Sequence, residues 1–401
     1  MKLLRWAVFF VFIICSTNSY AAEKLLTIVH TNDLHSHLQG FSPEIDYRPA
    51  AVNTDATFGG WSRIATVIKQ TRESRKNPVL VVDSGDYFMG SLFHMLAREE
   101  AFELRLLGQM GYDVVTLGNH EFDLKPAGLA RILTTAQSKG RIPQIVFASA
   151  IFTKDNPKDA SLKRAFADVG VKPYTVIVRD GLKIGIFGIL GKDAAAVSPF
   201  AAPVKFRDPV EVSREVVTTL REKEKVDIVI CLSHSGLHKD RKKSEDEILA
   251  REVKGIDVIV SGHTHALHPS PVQAGDTIIV HAWVYGKHTG VLDIAFADKK
   301  VKLKNYQTVV INSAIAGDSF IQDTIDSFKK KIDADFLGKY SLNYDKIIAS
   351  TNKSLTMAVD ESPVGNLIAD SIRWYVNKYD ANPADPESRV AVAIESNGVI
   401  R

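Results

Sequence analysis

The sequence predicts an α/β sandwich of two mixed sheets with helices on the outside. Three observations carry this. Short apolar runs alternate with amphipathic helical stretches through the first part of the chain. The runs at 277–281, 289–297 and 301–311 then follow one another and read as antiparallel strands. Several of the buried runs end in Asp, Asn or His, and in α/β sheets the ends of strands are where ligands bind.

The elements follow in order. Residues 1–22 read as a secretory signal peptide, with Lys2 and Arg5 as its basic start, an apolar run over 6–14 and Ser19-Tyr20-Ala21 at the cleavage positions. That run is shorter than the roughly 20 residues that span a bilayer. The mature chain is therefore expected to be periplasmic or secreted, with no integral membrane segment. Cys231 is then the one cysteine left, and its apolar surroundings at 228–232 suit a small core residue.

The strand at 25–30 delivers Asp33 and His35. A polar stretch over 41–58, with Pro43 and Pro49, reads as a surface loop. Trp61, Ile64, Ala65 and Ile68 recur at helical spacing. A strand at 79–82 runs into Asp83-Ser84-Gly85-Asp86. A helix over 97–110 shows Phe102, Leu106 and Met110 on one face. The strand at 113–117 leads into Gly118-Asn119-His120-Glu121-Phe122-Asp123, which we take as the organising stretch of the chain. A helix at 126–139 and a short strand at 144–149 follow.

Strands at 174–178 and 182–187 flank Arg179-Asp180-Gly181, a hairpin signal. Asp208, Pro209 and Glu211 form a helix start, with Asp208 as cap and Glu211 closing a capping box. Val212, Val216, Val217 and Leu220 are its apolar stripe. Buried strands at 227–232 and 257–260 deliver His234 and then His263-Thr264-His265. The helix at 316–337 carries Lys329-Lys330-Lys331 on a solvated face. Beyond 344 come a helix at 365–379 and a strand at 390–394. The expected organisation is a main domain over 23–315, a helical linker over 316–343, and at 344–401 the first part of a second domain that stops just after a strand.

Composition excludes several functions. At 45% hydrophobic and 24% charged residues, this is an ordinary globular chain. The formal charge of +3 falls close to neutrality once Lys2 and Arg5 are removed. Neither a nucleic-acid polymer nor an anionic membrane is indicated as a partner.

The chemistry lies in the strand ends. Asp33 and His35, like His263 and His265, stand at i and i+2, which in an extended chain puts both on one side. Asp86 follows a Gly in a turn, where a carboxylate can bridge two cations, and Asn119 offers a neutral oxygen. Mixed N/O ligands suit Mn, Zn, Fe or Co, and the lack of Cys argues against a closed structural zinc site. Taken singly, an Asp after a strand is as well explained as a helix cap, and a lone His as a satisfied polar residue. The weight lies in the joint occurrence at successive strand ends. His30 reads as core and His37 as an exposed loop residue. His94, His238, His268, His281 and His288 read as structural or surface residues.

These blocks resemble those of the calcineurin-like metallophosphoesterases. His30-Thr31-Asn32-Asp33 together with 118–123 narrows the resemblance to the 5'-nucleotidase family, which includes UDP-sugar hydrolases. Glu361 to Asp370 resembles the start of that family's substrate-binding domain. The resemblance implies a four-layer α/β/β/α sandwich and two divalent metal ions. One would be held by Asp33, His35, Asp86 and His265, the other by Asp86, Asn119, His234 and His263, with Asp86 bridging. It implies His120 as the catalytic histidine, oriented by Asp123, and attack of a metal-bridging hydroxide on a nucleoside 5'-monophosphate. Asn119, His120 and Arg401 would contact the substrate. Two departures stand out. His265 replaces a residue that is often Gln in nucleotidases, and the block ending in Arg401 reads Asn397-Gly398-Val399-Ile400 before it. Related activities within reach are hydrolysis of UDP-sugars or 2',3'-cyclic nucleotides and a thiosulfohydrolase-like reaction. A protein that only binds nucleotides is the other alternative.

Overall fold

The structure, a computed structural model, describes residues 23–44, 46–153, 156–352, 355 and 361–395. Its principal elements, in chain order, are β1 (Lys24–Thr31), α1 (Trp61–Ser74), β2 (Val79–Asp83), α2 (Phe102–Met110), β3 (Val114–Val115), α3 (Lys125–Ser138), β4 (Gln144–Ile145) and α4 (Pro157–Val169). There follow β5 (Tyr174–Arg179), β6 (Leu182–Leu190), α5 (Pro209–Thr218), β7 (Ile228–His234), α6 (Glu245–Glu252), β8 (Val258–Ser261) and β9 (Val272–Ala274). The last are β10 (Thr277–Val280), β11 (His288–Ala297), β12 (Lys300–Val310), α7 (Ser319–Asp335) and α8 (Pro363–Tyr379).

Two six-stranded sheets form, in the orders β12-β11-β1-β2-β3-β4 and β9-β10-β8-β7-β6-β5. Ile28 and Val82 of the first sheet and Ile186, Ile230 and Val260 of the second share one apolar layer between them. Val29 and Val81 point the other way, into a layer with Trp61, Ile68, Leu106 and Leu133 from α1, α2 and α3. On the far side, Val229, Cys231 and Ile259 pack against Val212, Val216 and Leu249 from α5 and α6. The predicted sandwich is thus present as four layers. The central strands are apolar on both faces because both faces are covered.

Several local signals act as read. Asp180 and Gly181 take φ of 45° and 68°, the left-handed pair that suits a two-residue hairpin turn, and β5 pairs antiparallel with β6. Asp208 accepts hydrogen bonds from the amides of Val210 and Glu211 at 2.9 and 3.1 Å. Cys231 is buried.

Other expectations change. The 277–280 strand does not join an antiparallel run. It lies in the second sheet, parallel to β8 and antiparallel to the short β9, while β11 and β12 form a hairpin on the first. The helix over 97–110 breaks at Ala101, whose φ is 48°. There the carboxylate of Glu100 is held by Lys139 at 2.6 Å, Lys331 at 2.8 Å and Arg105 at 3.0 Å. The predicted strands at 113–117 and 144–149 keep only Val114–Val115 and Gln144–Ile145 in the ladder, since the chain beyond Val115 turns toward the site. No strand forms at 390–394. Val392 and Ile394 are exposed there, and no neighbouring strand among the described residues offers a partner. Helix α4 carried no expectation, although Asn156 caps it through Lys158 and Pro157 sits at its first position.

Helix α7 packs into the first core. Ile321, Ile325, Phe328 and Ile332 are buried, and Phe328 stacks on Phe102 at 4.1 Å. Helix α8 buries none of its residues. No helix among the described residues is long and apolar enough to cross a membrane.

Candidate metal centre

Both sheets present their carboxyl edges to one place. Asp33 and His35 follow β1, Asp86 follows β2 and Asn119 to Asp123 follow β3, all from the first sheet. His234 ends β7, and His263 and His265 follow β8, from the second. The stacking of the two sheets therefore brings together residues far apart in the chain, such as His35 and His265, 230 positions apart.

The i, i+2 argument needs correction. Asp33, His35, Asp86, His263 and His265 have φ of 50°, 46°, 57°, 74° and 50°. These residues stand in left-handed turns rather than extended strand. Such backbone is costly for residues with a Cβ, and it clusters at functional sites where surrounding structure enforces it. His263 and His265 also go to different groups. Asp33, His35 and His265 form one cluster of converging ligand atoms, and Asp86, His234 and His263 form another.

Glycines make this packing possible. A Cβ on Gly118 would lie 2.2 Å from Asp86 Oδ1 and 2.7 Å from His234 Nε2, and one on Gly85 would lie 2.6 Å from the Gly118 amide nitrogen.

The hydrogen bonds define which ring nitrogens face the centre. His35 Nδ1 donates to the Met89 carbonyl at 3.0 Å, so its Nε2 presents a lone pair. That atom is 3.1 Å from His265 Nε2 and 3.8 Å from Asp86 Oδ2. His234 Nδ1 donates to the Ser84 carbonyl at 2.8 Å. Its Nε2 then lies 3.1 Å from Asp86 Oδ2 and 3.2 Å from Asn119 Oδ1. His263 Nε2 is 2.9 Å from Asp193 Oδ2, while its Nδ1 is 3.1 Å from Asn119 Oδ1. Carboxylate oxygens, imidazole nitrogens and an amide oxygen thus converge in a largely buried space, which favours a positive charge among them. Two imidazoles and a carboxylate on one side, and two imidazoles, a carboxylate and an amide oxygen on the other, are donor sets for borderline divalent cations. The residues present fit two such ions, and Asp86 Oδ2 lies near a histidine of each set, His234 and His35.

Electrostatics agree. Burial disfavours the charged form of His234, yet the Asp86 and Asp33 carboxylates outweigh it and raise the imidazole to about 10. Burial likewise opposes ionisation of Asp86, but His234, His120 and His35 hold it well below the usual carboxylate range. The two carboxylates thus favour positive charge at this place.

His120 stands at the rim. Its Nδ1 is 2.7 Å from Asp123 Oδ2, and its amide donates to Asp86 Oδ1 at 2.9 Å. Arg401 and the preceding block lie outside the described residues.

Four residues near the centre carried no assigned role at the sequence level. Glu121 is buried and accepts from the amides of Gly118, Asp86 and Phe88 at 2.5, 2.9 and 3.1 Å. Burial, then the neighbouring Asp86, push its carboxyl up to about 8. Asn32 donates to Asp33 Oδ2 at 2.7 Å and to the Trp283 carbonyl, and accepts from the Ala282 amide at 2.9 Å. Its position before Asp33 in the first block was the available signal. Tyr285 packs its ring 5.6 Å from His35 and 5.8 Å from His265. Asp193 is the fourth. His37 stacks on Tyr285 at 4.3 Å and is half-buried, so it borders the site rather than standing in an exposed loop. His30 is fully buried in the core, and a Cβ on Gly290 would collide with its ring.

Comparison with known proteins gives a consistent result. A family model described as calcineurin-like phosphoesterase matches residues 26–267. The trifunctional nucleotide phosphoesterase protein YfkN of Bacillus subtilis is 29% identical over 86% of this chain and 23% of its own length. The snake venom 5'-nucleotidase of Crotalus adamanteus is 28% identical over 96% of this chain and 64% of its own. Among solved structures, the 5'-nucleotidase precursor from Thermus thermophilus superposes with a TM-score of 0.70 at 27% identity, covering 89% of this chain and 68% of that one. The chain spans less than two thirds of the length of the two curated relatives named here.

Proposed function

The chain belongs to the calcineurin-like phosphoesterase family, beside its 5'-nucleotidases, and on that premise we propose that it is an exported metal-dependent phosphohydrolase acting on nucleoside 5'-monophosphates. The observation that carries the reading is the convergence of Asp33, His35 and His265 beside Asp86, His234 and His263, with the His120–Asp123 pair at the edge. Export rests on the signal-peptide pattern of residues 1–22, and a substrate-binding domain beginning near 344 completes the proposed organisation.

When bound, two divalent cations supply Lewis-acid stabilisation of phosphoryl charge and an acidified water as nucleophile. The chain's own residues do the rest. The His120 amide anchors Asp86 Oδ1, which leaves Oδ2 between the two clusters, 3.1 Å from His234 Nε2 and 3.8 Å from His35 Nε2. Asn119 presents its carbonyl oxygen between His234 and His263. Asp123 favours a proton on His120 Nδ1 and so stabilises the imidazolium, whose Nε2–H can donate to a phosphoryl oxygen and pass its proton to the leaving oxygen.

The test is phosphate release from AMP, UDP-glucose, 2',3'-cyclic AMP and bis-p-nitrophenyl phosphate, with a coupling phosphatase for the diesters. It is run with Mn²⁺, with EDTA, and with Asp86→Asn. Turnover of AMP that needs Mn²⁺ and disappears in the variant is the expected result. Turnover of the diesters alone would replace the substrate, and no turnover despite bound metal would end the nucleotide reading.

A further inference from the structure

One carboxylate beside the centre belongs to neither cluster of ligands. Asp193 Oδ2 lies 2.9 Å from His263 Nε2, and no other hydrogen-bond partner of that nitrogen is found among the described residues. We propose that Asp193 is a positioning residue, which orients His263 so that Nδ1 rather than Nε2 is the nitrogen offered to the second cation. The inference rests on the metal-centre reading and deepens it.

The chemistry is that of a shared imidazole proton. A carboxylate next to Nε2 fixes the N–H there, so the lone pair is on Nδ1. Nδ1 is the atom that faces Asn119 Oδ1 at 3.1 Å, inside the same group as Asp86 and His234. A carboxylate partner also makes the imidazole a stronger donor to metal and restricts its rotation. His263 needs such a restraint. It stands on a left-handed turn with φ of 74°, and its ring lies at the rim.

Asp193 is itself built into the site. Helix 192–196 begins directly after β6, and the Gly191 amide donates to the carbonyl of His234 at 2.8 Å. The amides of Lys192 and Asp193 donate to Glu245 Oε2 and Oε1 at 2.7 and 3.0 Å. Lys192 Nζ reaches Asp208 at 2.8 Å. A Cβ on Gly191 would lie 2.5 Å from Glu245 Oε2 and 2.6 Å from Ser235 Cα, so this turn is pressed against the strand end that bears His234. Asp193 therefore links a ligand on β7 with a ligand on the turn after β8 through a rigid bracket. Its own side chain is 72% exposed, so replacing it removes the bracket's contact without opening the core.

The experiment is calorimetric titration of the metal-free full chain with Mn²⁺, and electron paramagnetic resonance of the loaded protein, for wild type, Asp193→Asn, Asp193→Ala and Asp193→Glu. Wild type is expected to bind two ions and give the spectrum of a coupled Mn²⁺ pair. Asp193→Asn and Asp193→Ala are expected to keep the first ion, lose roughly 10- to 100-fold in affinity for the second, as for other partners of metal-bound histidines, and give the spectrum of an isolated ion. Asp193→Glu should recover part of the loss. Two ions bound with unchanged affinity and a coupled spectrum in Asp193→Ala would overturn the proposal. Failure of wild type to bind any ion would instead overturn the metal-centre reading on which it stands.

Discussion

His120 shows how much one position carries. Its amide nitrogen secures Asp86, and its ring is held by Asp123, so backbone and side chain have separate duties. Substituting the side chain keeps the amide. His120→Ala is therefore expected to lower kcat by about 10²-fold or more, as for other lost transition-state contacts, while metal content by elemental analysis stays at the wild-type level. Near-normal turnover would remove His120 from the mechanism. The residues that converge at the centre were legible in sequence because Asp, Asn and His at strand ends are unusual residues in predictable places. Glu121 and Asp193 were not. Glu121 works by satisfying three backbone amides from separate turns, and no spacing rule encodes that. Asp193 is an ordinary acidic residue at the start of a five-residue helix. Its meaning comes from a histidine 70 positions away.

At the level of elements, signals that depend on neighbours in sequence held, and those that depend on neighbours in space did not. The Asp180-Gly181 turn and the Asp208 cap are local chemistry. The break at Ala101 is tertiary, since three basic side chains from α2, the end of α3 and α7 converge on the residue before it. Helix α7 illustrates the same dependence. Its apolar stripe is legible, but what it covers is not. Phe328 is 2% exposed, stacks on Phe102 and lies under the Arg105 guanidinium at 5.0 Å. Phe328→Ala should cost about 3–5 kcal/mol, seen as a lower urea midpoint with an unchanged slope. A loss below about 1 kcal/mol would show that α7 contributes little to the core, since surface changes stay within about that range.

For the whole molecule, the two-sheet sandwich was readable from alternation of strands and helices, but the sheet to which each late strand belongs was not. The chain leaves the second sheet after β10 and returns to the first at β11, a crossing that no residue pattern announces. The centre sits where both sheets meet and draws its residues from both, so a cation bound there would tie the two together. Ligand binding to the folded state alone stabilises it by mass action, about 2.7 kcal/mol per site at a hundredfold excess over Kd. EDTA should therefore lower the Tm of wild type, and the shift should largely vanish in Asp86→Ala. An equal shift in both would place the stabilising ions elsewhere.

The sequence distance between His35 and His265, 230 residues, has a consequence for the life history of the protein. Neither cluster of ligands can be assembled until nearly the whole sandwich has been made and folded. A cation cannot be picked up early, by a nascent segment, and carried along. The centre is completed late, so a cation it takes is drawn from the ion pool present where folding ends.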